Sequence, residues 1–149
     1  MDYIFNFSWK GLLIFALAML PNLYYYKTQK KEAQIPDSTN RLLDVLEHST
    51  QIIFIFLLIF IVNKKDSSFH NPVVILIVTF LLMYYGLWIF YIMNIKHIIM
   101  IEGLAIFPVL YFLASEYWLH NYIAMIPTLI FGVIHSIITY KNYKLNKHL

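Results

Sequence analysis

Apolar residues run along this chain in stretches of about twenty, separated by short polar clusters. About twenty apolar residues in a helix are what the hydrocarbon core of a bilayer requires. Five segments meet or nearly meet that length: residues 4–26, 42–62, 72–92, 98–119 and 122–140. The third carries no charge, the first holds Lys10 near its start, and the fourth is interrupted by Glu102 and Glu116. Strands of a membrane barrel would be about ten residues long and would alternate polar with apolar. These runs are longer and do not alternate. Backbone groups in lipid must be satisfied within the segment, so helices follow. The expectation is all-α: a polytopic transmembrane helical bundle of five spans, one domain over residues 1–149.

The intervening segments agree. Residues 27–41 are polar and contain Pro36, and residues 63–71 hold Lys64, Lys65, Asp66, Ser67 and Ser68. Residues 94–97 form a short connection, and His120 and Asn121 the tightest turn. Residues 141–149 are basic and read as a frayed tail. The apolar run at 12–20 has the length of a secretory signal core. Asp2 and the lack of a Lys-rich start or a small-residue cleavage pattern make it a retained span instead.

Basic residues near span ends give an orientation, because they favour the cytoplasmic side. Lys27, Lys30, Lys31, Arg41, Lys96, Lys141, Lys144 and Lys147 fall on one side, against Lys10, Lys64 and Lys65 on the other. The first side is expected to be cytoplasmic, with the N-terminus outside and the C-terminus inside. Trp9, Tyr24, Tyr25, Tyr26, Tyr117, Trp118 and Tyr140 fall at the interfaces, where amphipathic rings prefer to sit.

Composition sharpens this reading. The chain is 60% hydrophobic and only 13% charged, with mean hydropathy +0.66, whereas a soluble domain carries about 25% charged residues. Lipid is therefore the expected partner, and the net charge of +3 speaks to orientation rather than to nucleic acid. No cysteine is present, which excludes disulfides, thiolate metal sites and cysteine nucleophiles. Abundant Ile, Phe, Tyr, Lys and Asn suit a bacterial inner-membrane protein.

Ionisable groups within a span are costly and ask for a partner or a role. Asn22, Glu47, Glu102 and His135 each lie four or five residues from the expected cytoplasmic end of their segment. At the helical rise they share a level roughly 6–8 Å below the surface. Asp44, Glu47, His48 and Gln51 recur at i, i+3, i+4 and i+7, the spacing of one helical face. The expected ligand-binding set is Asn22, Glu47, His48, Gln51, Glu102 and His135, around a polar pocket open to the cytoplasm. The plainer reading is that groups one turn deep snorkel or bond between helices. No metal or cofactor is expected. Asp44 and His48 stand four apart where the di-iron motif needs Glu-x-x-His, and the zinc motif HExxH is absent.

Pro21, Pro108 and Pro127 each leave a backbone carbonyl one turn earlier without its helical partner. On the opposite side, Glu116 and His120 are spaced to pair. The run Met83, Tyr84, Tyr85 and Trp88 reads as packing.

Three stretches carry a resemblance: Pro21-Asn22-Leu23, Leu43-Asp44-Val45-Leu46-Glu47, and Pro108-Val109-Leu110-Tyr111-Phe112-Leu113 through Trp118-Leu119 to Phe131-Gly132-Val133-Ile134-His135. They resemble small five-helix bacterial integral membrane proteins for which no activity is established. The resemblance implies architecture only. The translocator-protein family is similar in size, but its Trp-x-Pro-Pro pattern is missing here. The emopamil-binding family also places Glu and His within spans, but its motifs do not align with these residues.

The leading functional expectation is a membrane protein that binds or transports a small ligand, ion or lipid. Transport by so few helices would require a homo-oligomer or a partner membrane protein. One alternative is an intramembrane enzyme using a Glu/His pair on a lipid. Another is an accessory or immunity-type subunit working through helix contacts.

Overall fold

The computed structural model describes residues 2–28 and 41–146, whose regular structure is helical apart from one short ribbon. The order is β1 (Tyr3–Phe5), α1 (Trp9–Thr28), α2 (Arg41–Phe60), β2 (Ile61–Asn63), α3 (Val73–Ile92), α4 (Ile98–Trp118) and α5 (Tyr122–Asn146). Helices α2 to α5 are long and apolar enough to cross a membrane. Helix α1 has comparable length but is more polar, through Lys10, Asn22, Lys27 and the Tyr24–Tyr26 run.

Capping and strand pairing correct the first two expected boundaries. Helix α1 starts at Trp9, not at residue 4, because the Ser8 hydroxyl accepts the Gly11 N–H at 3.0 Å and so caps the first turn. The preceding Tyr3–Phe5 segment pairs antiparallel with Ile61–Asn63, in the register Ile4 opposite Val62. That pairing ends α2 at Phe60 rather than 62, and the β-branched Ile61 and Val62 suit a strand. The ribbon thus ties together the free ends of the α1–α2 pair.

The other turns follow from local chemistry. Asn94 and His120 adopt positive φ, at 62° and 55°. Each closes its helix with paired backbone bonds: Asn94 to Tyr91 and Ile95 to Phe90 after α3, His120 to Tyr117 and Asn121 to Glu116 after α4. This is the Schellman arrangement, which satisfies the last helical carbonyls. Helix α5 continues through Asn146 where a frayed tail was expected from 141. Lys144 in its last turn suits the negative end of the helix dipole.

Helices α3, α4, α5 and α2 pack in that sequence, and α1 bridges α2 and α3 while touching α4. Ile14, Ala18, Phe54, Leu58, Tyr111 and Phe131 belong to the core. The outward surface is apolar as well: Ile52, Ile75, Leu82, Ile99, Ile126 and Val133 are all more than 60% exposed. Water-soluble chains seldom carry so continuous an apolar surface.

Helix α1 is held by hydroxyls that reach its backbone. Pro21 cannot donate to the Leu17 carbonyl, and the Tyr85 hydroxyl does so instead, at 2.6 Å. Tyr111, almost wholly buried, donates to the Ile14 carbonyl at 2.9 Å. At the ribbon end, Lys10 donates to the carbonyl and hydroxyl of Ser67, both at 2.8 Å, and lies over the rings of Phe69 and Trp118.

Candidate functional site

A cavity of about 930 Å³ lies at the end of the bundle opposite the ribbon, bordered by all five helices and by Lys96 in the α3–α4 turn. Ligand sites of drug size span about 300–1,000 Å³. Proline helps to shape it: Pro108 leaves the Leu104 carbonyl without its helical donor, and both residues line the cavity.

His135 on α5 forms part of the wall and stacks on Phe131, with ring centroids 5.1 Å apart and planes 15° from parallel. Its Nδ1 meets the Glu47 Oε1 of α2 in a hydrogen-bonded ion-pair geometry. The Glu47 side chain is the more enclosed of the two, at 14% exposure against 34% for His135. A carboxylate on one ring nitrogen fixes the imidazole's orientation and tautomer. The second nitrogen, Nε2, has no partner among the described residues and remains available at the wall.

The six expected ligand-binding residues separate into three groups. Asn22, Gln51 and His135 line the cavity. The Asn22 amide is itself held, donating to the Tyr84 hydroxyl at 3.0 Å. Glu47 stands behind His135. Glu102 is half-buried within electrostatic range of His135, and its Oε1 is buried without a hydrogen-bond partner among the described residues. His48 is exposed, and its Nδ1 engages the Asp44 carbonyl of its own helix at 2.7 Å. The polar stripe on α2 is therefore not one inward face: Glu47 and Gln51 turn inward, while His48 turns away. Among the described residues no three His, Asp or Glu side chains converge as metal ligands.

Several cavity residues escaped the sequence reading. Tyr84 and Trp88, read as packing, line it. Thr139, Asn142 and Tyr143 do so too. Positions 135, 139 and 142 share one helical face by spacing, but that signal was hidden by ending the last helix at 140. Lys96 was counted for orientation alone.

The ribbon end shows a different pattern. Glu116 and His120 do not pair. Glu116 is fully buried and accepts from the Thr128 hydroxyl at 2.6 Å, while His120 Nδ1 meets the Tyr122 hydroxyl at 3.1 Å. The Schellman turn explains the separation: it swings His120 out of the α4 helical path, so the i, i+4 relation is lost. Asn121 turns inward, and its amide donates to the carbonyls of Leu57 and Ile61, each at 2.9 Å.

Comparison with protein-family models, curated proteins and solved structures finds no match to this chain.

Proposed function

We propose that this chain is a five-span membrane protein whose cavity opens to the cytoplasm and binds a small ligand or lipid. The carrying observation is the large cavity bounded by five helices, with polar groups of four of them meeting inside an otherwise apolar bundle. Polar side chains at membrane depth face the bundle interior or a water-filled space. Helix α1 counts as the fifth span in this reading, since its 20 residues extend about 30 Å, the thickness of the hydrocarbon core. Its Lys10 is satisfied at the ribbon end rather than left in lipid. The basic residues Lys27, Arg41, Lys96, Lys141 and Lys144 gather at the cavity end, which favours a cytoplasmic mouth.

Native mass spectrometry of the protein released gently from its membrane tests the reading. A bound small molecule or lipid is expected at one per chain. Thr139→Trp, which adds a ring from a half-buried wall position, should remove it. An adduct that survives this change in folded protein would place the ligand elsewhere and defeat the proposal.

The Glu47–His135 pair supports a second reading, in which Nε2 of His135 acts as acid or base on the bound lipid. Glu47→Gln should then leave capture intact but stop conversion, so that the adduct mass changes with time only in the unaltered protein. An adduct whose mass never changes would set this second reading aside.

A further inference from the structure

The cavity lining is graded along its length, and the same grading recurs on three helices. On α5 the lining runs from Phe131 through His135 and Thr139 to Asn142. On α1 it runs from Phe15 to Asn22, and on the antiparallel α2 from Phe54 to Gln51. In each case the apolar residue is nearer the ribbon end and the polar one nearer the mouth. Helix α4 adds Phe112 and Pro108 to the apolar portion and, through Leu104 and Ile101, carries an apolar wall on toward the mouth. From Phe131 to Asn142 the wall extends about 16 Å at the helical rise. A compact polar solute would leave the aromatic end unused. A purely apolar ligand would displace water from the amides, hydroxyls and imidazole at the mouth without replacing its hydrogen bonds, which is costly.

The charge of the mouth selects the head. Among the described residues Lys96 is the one Lys, Arg, Asp or Glu that lines the cavity. Its Nζ lies 5.3 Å from the centre of the Tyr91 ring, another lining residue. Neither Glu47 nor Glu102 lines the cavity: the Glu47 carboxylate is engaged by His135, and the Glu102 Oε1 is buried with no hydrogen-bond partner among the described residues. Lys96, Asn142 and Thr139 together offer an ammonium, an amide and a hydroxyl, a donor-rich set suited to an anion, to which the imidazolium form of His135 adds its Nε2–H.

We propose that the cavity holds a single-chain amphiphile with an anionic head, its chain running down to the floor formed by the packed rings of Phe54, Phe112 and Phe131 and its head between Lys96 and His135. This rests on the cavity being a ligand site. A phosphate-headed and a carboxylate-headed amphiphile share the required chemistry.

The test uses the full chain in maltoside micelles, which supply a neutral-headed amphiphile in excess. Dodecyl phosphate, laurate, dodecylphosphocholine and inorganic phosphate are added separately, and binding is read by native mass spectrometry. Saturable binding of dodecyl phosphate or laurate at one per chain is expected, at least ten-fold tighter than the phosphocholine. The tighter of the two anions identifies the head. Lys96→Gln, in an exposed turn, should weaken the anion about ten-fold. Equal capture of the phosphocholine, or an unchanged affinity in Lys96→Gln, would overturn the anionic head. If Thr139→Trp still blocked binding in that case, the cavity would stand as a ligand site for another amphiphile. Inorganic phosphate binding as tightly as dodecyl phosphate would overturn the amphiphile and leave a plain anion site. Saturable capture of the anions undiminished by Thr139→Trp in folded protein would overturn both this inference and the cavity reading.

Discussion

At the residue scale, the contact between Glu47 and His135 joins α2 to α5 across 88 positions of sequence. Hydrogen bonds between membrane helices are worth about 0.6 kcal/mol on average and up to about 1.7. A double-mutant cycle on Glu47→Gln and His135→Gln, read by chemical unfolding in micelles, should give a coupling near the upper end of that range. Additive single effects would show that the two groups do not interact. Asn121 is only 1% exposed and serves two carbonyls at the end of α2. Asn121→Ala removes both donors at once, and an unsatisfied buried group costs about 1–3 kcal/mol. The variant should lose stability by at least that amount in the same unfolding assay, and a neutral effect would mean that water or lipid headgroups replace the amide.

At the element scale, α1 is the least apolar helix and docks through a narrow seam. A β-carbon on Gly11 would run into the carbonyl oxygen of Leu58, and backbone cannot swing aside as a side chain does. Overpacking of this kind costs about 1–3 kcal/mol. Gly11→Ala should therefore loosen α1 and lower the melting temperature. Gly86→Ala, with nothing within 4 Å of its added carbon, should be neutral or gain up to about 1 kcal/mol from helix propensity. Equal effects at the two glycines would contradict this account of the seam. The apolar runs made the four most hydrophobic helices legible in the sequence, because lipid-facing segments need no amphipathic pattern. The ribbon was not legible. Residues 4, 5, 61 and 62 are as apolar as their neighbours, and only pairing between distant segments distinguishes strand from helix there. Asn22 and His135 could be brought to one level by counting residues, but the rotation that exposes His48 and encloses Glu47 depends on how α2 sits against α5.

At the scale of the whole molecule, the bundle is tied together where the ribbon and the α4–α5 turn interlock, with a cleft of about 360 Å³ beside the ribbon, and more deeply hollow, at about 930 Å³, where the polar groups meet. Tyr3 and Asn63 both donate to the His120 carbonyl, each at 3.1 Å, binding the ribbon end together. Such asymmetry suits a protein entered from one side. The hollow end should hold water and face the cytoplasm, and the absence of native cysteine allows a direct test. Gln51 lines the cavity, whereas Ile52, its neighbour on α2, is 68% exposed on the outer apolar surface. Single cysteines at these two positions would be challenged with a charged, membrane-impermeant thiol reagent, in right-side-out and inverted vesicles. Rapid labelling of Gln51→Cys is expected from the cytoplasmic face alone, and no labelling of Ile52→Cys from either face. Equal reactivity at the two positions, or labelling of Gln51→Cys only from the outside, would contradict it.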